Sequence, residues 1–119
     1  MNNKEFDLKK RTNTFAHRCV KLSLALPNNK LGNHIQGQLV RACTSVAANY
    51  RAACIAQSKK SFAAKISIVF EESDECCFWL EFIIEEKLLK QLLVSNLLAE
   101  AKELTSIFAA SRITVKKQK

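Results

Sequence analysis

An all-α fold, an antiparallel up-down-up-down four-helix bundle, is predicted by three features of this chain. Two glycines and one proline in 119 residues leave little of the turn chemistry that an all-β chain needs. Phe62, Ile66, Val69, Ser73, Cys76 and Leu80 recur at alternating spacings of four and three, near the repeat of helices packed almost parallel to one another. Helix-length segments follow one another with short breaks, which makes consecutive helices antiparallel neighbours. With 48% hydrophobic residues the chain can bury a core of its own, and residues 1–119 are read as a single domain with a basic tail over 112–119.

The first helix is expected from about Leu8 to Ala25. Leu8, Phe15, Cys19, Leu22 and Leu26 form its apolar stripe, and Lys10, Arg11, Thr14, Arg18 and Lys21 a ridge beside it. Pro27 pushes the residue before it out of helical geometry, and Asn28 and Asn29 are turn formers, so the chain reverses there. The second helix spans about Lys30 to Ala56, with Leu31, Ile35, Leu39, Ala42, Val46, Asn49 and Ala53 inward. Its second half carries small side chains on every face (Ala42, Cys43, Thr44, Ser45, Ala47, Ala48, Ala52, Ala53, Cys54, Ala56), more than a lone bundle requires, which points to packing against another subunit. Ser58 is a plausible N-cap for the third helix, expected over Lys59 to Glu86. Phe78 and Phe82 lie one turn apart on the side away from Leu80, an apolar patch of the kind that marks a partner surface. The stretch from Lys87 to Ser95 shows no clear break, although a turn near it is needed. A fourth helix from about Leu93 to Ser111 follows Leu97, Ala101, Leu104, Phe108 and Ser111, and the tail from Thr114 to Lys119 is expected to fray.

The net charge of +8 is unevenly spread. Residues 1–65 hold twelve Lys or Arg against two acids, residues 66–111 three against nine, and residues 112–119 four against none. Such an excess suits a nucleic acid or an anionic surface, or serves solubility alone. Five cysteines (Cys19, Cys43, Cys54, Cys76, Cys77) lie in helical patterns without CxxC or zinc spacing and read as small core residues, in keeping with a reducing cytoplasm. No apolar run approaches the roughly 18 to 20 residues of a membrane span, so no membrane partner is expected.

Catalytic chemistry has little to stand on in these residues. His17 and His34 are isolated, no glycine loop could cradle a phosphate, and no Ser or Cys has an obvious base. Glu71, Glu72, Asp74 and Glu75 lack the Glu-x-x-His pairs of di-iron bundles, so neither a metal nor a cofactor is expected. Arg51 and Glu72 are expected to form a partly buried ion pair that sets the register between the second and third helices.

Gln38-Leu39-Val40-Arg41-Ala42, Ser45 to Ala53, then Ser58, Phe62, Lys65, Glu71 to Glu75 and Trp79-Leu80-Glu81 stand in fixed-spacing blocks, followed by Leu97, Glu100, Glu103-Leu104 and Ile107-Phe108. Together they resemble the bacterial four-helix-bundle family encoded within 23S rRNA intervening sequences. The resemblance implies a left-handed up-and-down bundle assembled as a ring-like homopentamer. It also implies a fold similar to the accessory protein of diversity-generating retroelements, a basic pentamer that associates with a reverse transcriptase and nucleic acid. Cys76-Cys77-Phe78 depart from the small or polar residues usual before the Trp.

Two functions are weighed. The first is a non-enzymatic oligomeric bundle that binds RNA or DNA, or serves as a reverse-transcriptase or RNA accessory protein, through a basic pole. The alternative is a structural or protein-interaction bundle with no nucleic-acid ligand. In this topology the start of the first helix, the turn after the second and the end of the fourth share one end of the bundle. That end gathers Lys4, Lys9, Lys10, Arg11, Lys59, Lys60, Arg112, Lys116, Lys117 and Lys119, with Glu85 and Glu86 at the other. Phosphate is the counterpart such a pole would meet, through charge and not sequence. Phe78 and Phe82 are the expected oligomer interface.

Overall fold

The computed structural model describes residues 3–117, and within them four helices: α1 (Asn3–Leu24), α2 (Lys30–Cys54), α3 (Lys59–Glu85) and α4 (Gln91–Lys117). α1 packs on α2, α2 on α3 and α3 on α4, and α4 returns more sparsely to α1. This is the four-helix bundle expected, about 46 Å long and 24 by 20 Å across.

Each boundary has a local cause. α1 begins before its apolar stripe does, since the polar turn ahead of Leu8 is helical and brings Glu5 to the positive end of the helix dipole. At the other end Ala25 and Leu26 close tight turns onto Leu22 and Ser23 before Pro27 stops the helix. Asn29 caps α2, its side chain accepting from the Gly32 amide at 2.8 Å. Gly32 is required there, because a Cβ at this position would stand 2.0 Å from the Pro27 carbonyl oxygen. Gly32 therefore takes the inward place, while the Leu31 expected in the core is exposed. Ser58 caps α3 as expected, accepting from the Ser61 amide.

The ambiguous stretch after Glu86 resolves into a turn around Lys87, whose φ of 54° is left-handed. The Leu88 amide donates to the Ile83 carbonyl and the Lys87 amide to that of Ile84, the paired bonds of a Schellman ending. Glycine is the usual residue at such a position, so a lysine there gave no turn signal. The fraying expected after Thr114 does not extend to the described part of the tail. α4 runs through to Lys117, and the Arg112 guanidinium lies 4.2 Å from the centre of the Phe70 ring on α3. That cation–π contact, with Val115 beside the α2–α3 turn, holds the last turns to the bundle.

The core is one cluster drawn from the predicted stripes. Phe15, Cys19, Ile35, Leu39, Val46, Ile66, Val69, Leu80, Leu104 and Phe108 are essentially inaccessible. Tyr50 packs against Phe108 with ring centres 5.3 Å apart. Thr12 and Ser23 are buried beside them and donate to the carbonyls of Lys9 and Cys19. Cys19, Cys43, Cys76 and Cys77 are buried as small core residues, and Cys54 is half-buried. Among the described residues no helix is long and apolar enough to cross a membrane.

Candidate nucleic-acid interface

The topology brings one end of α1, the α2–α3 turn and the end of α4 together. Glu5, Gln57, Ser58, Lys59 and Val115 line one cavity of about 360 Å³ there. Beside it, Lys59, Lys60 and Lys116 rim a cleft of about 600 Å³ floored by Ala63, Ala64, Ser67 and Val115. Lys59 and Lys60 are the first two residues of α3, where the dipole and the unsatisfied amides are already positive, so their charges add to a field that favours an anion. Lys116 and Lys117 occupy the last turn of α4, and all four lysines are exposed.

Other members of the expected basic set are differently placed. Lys9 is half-buried and Lys10 exposed, both on α1. Arg11 turns across to α4. Its Nε and Nη2 donate to the two oxygens of Glu100 at 3.2 and 2.7 Å, and Nη2 lies 3.2 Å from Glu103. Hydrogen bonding to Glu100 is the chief reason that its pKa stands above the usual arginine value. Arg112 is committed to Phe70. Arg11 and Arg112 thus act as struts between helices, which leaves the exposed lysines to carry the field of this pole. Lys119 and the Lys4 side chain lie outside the described residues.

The expected pair of Arg51 and Glu72 is not brought together. Glu72 accepts from Arg41 Nη1 at 2.8 Å, and Arg41 Nη2 donates to Glu75. The reason is register. In the antiparallel α2–α3 hairpin each step forward on α2 is a step back on α3, so facing residues have numbers with a constant sum. Arg41 with Glu72 and His34 with Trp79, whose rings are 5.6 Å apart, share that sum. Arg51 stands about ten residues further along α2, roughly 15 Å away, at the height of Phe62. It is exposed and lines a groove of about 270 Å³ between α1 and α2 with Asn13, His17, Thr44 and Ala48.

Glu75 also accepts from Trp79 Nε1 at 3.0 Å, so Arg41, Glu72, Glu75 and Trp79 form one network on the outer α2–α3 surface. Burial pushes the Glu75 carboxyl up, but the bonds from Trp79 and Arg41 outweigh it and hold its pKa below the usual carboxylate value. This network escaped the sequence reading although its members lay in the quoted blocks. Counting heights back from the Gln57-Ser58 turn is the signal that would have found it.

Phe78 is 53% exposed. Phe82 is half-buried, 5.8 Å from Phe78 and 6.3 Å from Trp79 between ring centres, so it backs Phe78 more than it faces solvent. Among the described residues no cluster of His, Cys, Asp and Glu could hold a metal ion. Burial pushes the Cys76 thiol up, and hydrogen bonding between Cys19 and Cys43 together with burial pushes the Cys19 thiol up, which keeps Cys19 and Cys76 protonated.

Residues 4–110 match the model of a family described as 23S rRNA-intervening sequence protein. The chain is also similar to a solved crystal structure, a protein of unknown function from the S23 ribosomal protein family of Bacteroides thetaiotaomicron. The two are 28% identical with a TM-score of 0.81 over 88% of this chain and 97% of that one. No curated protein matches the chain. With its family match running through all four helices, the chain belongs to the 23S rRNA-intervening sequence protein family.

Proposed function

We propose that this chain is a non-enzymatic, oligomeric bundle of the cytoplasm that binds the phosphate backbone of RNA or DNA at its basic pole. The observation that carries the reading is the cleft rimmed by Lys59, Lys60 and Lys116, with Lys117 beside it. These side chains project from helix ends where α3 contributes its own positive dipole. Among the described residues the ion pairs across the bundle engage Arg11 and Arg41 instead. In a cyclic homopentamer, the assembly that the resemblance implies, the cleft would repeat around a ring and meet an extended polyanion several times over. Multivalent contact of this kind strengthens weak single sites. A role as accessory to an RNA-processing or reverse-transcribing enzyme is compatible with such a surface.

Binding through phosphates is salt-dependent and nearly blind to sequence. The test measures affinity for RNA and DNA oligonucleotides from about 50 to 200 mM salt, for the parent and for a Lys59→Gln/Lys60→Gln variant. Each lysine in contact with a phosphate adds about 0.7 to 0.9 to the slope of log affinity against log salt, so the variant should lose about 1 to 2 from that slope per subunit engaged. A parent that binds neither nucleic acid at about 50 mM salt rejects this reading in favour of a protein-interaction bundle.

A further inference from the structure

The outer faces of α1 and α3 are opposite in charge and lie on opposite sides of the bundle. Beyond Asp7 near its start α1 presents Lys10, Arg18 and Lys21 to solvent, and beyond Lys59 and Lys60 at its start α3 presents Glu71, Asp74, Glu81 and Glu85. Packing runs from α1 to α2 to α3, with no close approach between α1 and α3 themselves, so these faces cannot neutralise each other within one chain. Between copies they can.

Their heights along the bundle also agree. Cys43 meets Ala16 across α1–α2, and Arg41 meets Glu72 across α2–α3. α1 and α3 run in the same direction, so these two links put Arg18 level with Glu71 and Glu72. Within one residue of that offset Lys21 is level with Asp74 and Glu75, and Leu24 with Phe78. Charge stands opposite charge at two successive turns, and the apolar pair follows at the third. Leu24 is 69% exposed and Phe78 53%.

A glycine points to the same contact. Gly37 is exposed in the middle of α2, near the height of Phe78, and a Cβ added to it would meet nothing within 4 Å. Glycine inside a helix is unfavourable relative to alanine, and nothing in its own chain calls for it. A backbone without a side chain permits close approach by another body.

We propose that a second copy of this chain docks its acidic α3 face, with Phe78 at the apolar end, on the basic α1 face, with Gly37 of α2 leaving room for the ring. The inference rests on the reading that copies of this chain assemble, and it adds which surfaces meet. The contact joins two different faces at equal height, so it is head-to-tail without axial stagger and not a two-fold dimer; it closes into a ring where the rotation between neighbours divides a full turn. Opposed charges set the register and the pairing, and the apolar pair supplies the desolvated centre.

The experiment is light scattering on the full chain and on three charge-reversed variants, with circular dichroism to confirm helicity. Arg18→Glu/Lys21→Glu and Glu71→Lys/Asp74→Lys should each shift the mass to that of a single chain. Combining all four changes in one chain should restore the parent mass, because the faces are then complementary again with signs exchanged. A photo-reactive phenylalanine analogue placed at Phe78 in the otherwise unchanged protein should cross-link to the α1 segment around Leu24 or to α2 near Gly37 of another copy. A parent that is itself a single chain overturns the assembly reading and this proposal together. An assembled parent whose two-site variants keep its mass, or are not rescued in combination, or whose cross-links fall elsewhere, overturns the proposed faces while assembly stands.

Discussion

Arg41 on α2 and Glu72 on α3 face each other at 2.8 Å, and the same guanidinium reaches Glu75 one turn further along α3. One side chain thus spans two turns of its neighbour and opposes sliding of the α2–α3 hairpin. Arg41 is 49% exposed, so solvent screens the interaction and its thermodynamic contribution is small. A double-mutant cycle with Arg41→Ala and Glu72→Ala, read by urea denaturation, should give a coupling of about 0.5 to 1 kcal/mol. A cycle between Arg51 and Glu72 should give none.

The Glu75 carboxyl makes this network sensitive to acid. Its folded pKa lies below the ordinary carboxylate value, so its contribution to stability is present above that ordinary value and is lost as pH falls through the folded pKa. Glu75→Gln keeps an acceptor for Trp79 but removes the charge. Denaturation curves between about pH 3 and 6 should show the difference between parent and variant shrinking as the pH falls.

The two glycines of α2 should respond in opposite senses to alanine. Gly32→Ala would drive a Cβ into the Pro27 backbone carbonyl at 2.0 Å and should destabilise by about 2 kcal/mol or more. Gly37→Ala meets open space within the chain and should stabilise the isolated bundle by about 0.5 to 1 kcal/mol. Thermal or urea unfolding of the two variants under conditions that hold the chain as a monomer separates these expectations.

Lys87 closes α3 with a left-handed backbone that costs an L-residue about 1 kcal/mol. Lys87→Gly removes that strain at some cost in chain entropy and should stabilise by up to about 1 kcal/mol. An equal or lower urea midpoint would place the residue's value in its side chain.

The four helices, their order and nearly all of the core were legible in the sequence, because a helix that must bury one face repeats its apolar residues at the spacing of its own turns. Ile35, Leu39, Val46, Ile66, Val69, Leu80, Leu104 and Phe108 could be named for that reason. The gathering of Lys59, Lys60 and Lys116 at one end was equally legible, since antiparallel connectivity alone decides which helix ends share a pole. Side-chain partners across helices were not. Whether Glu72 meets Arg51 or Arg41 depends on the relative height of two helices, and a difference of ten residues leaves the apolar pattern of each unchanged. Arg11 and Arg112 looked like free charges for a similar reason: only the packed bundle brings Glu100 and Phe70 within reach of them. Composition and periodicity specify what each helix buries, whereas the axial register that packing settles decides which charges are spent inside the bundle and which remain to meet a ligand.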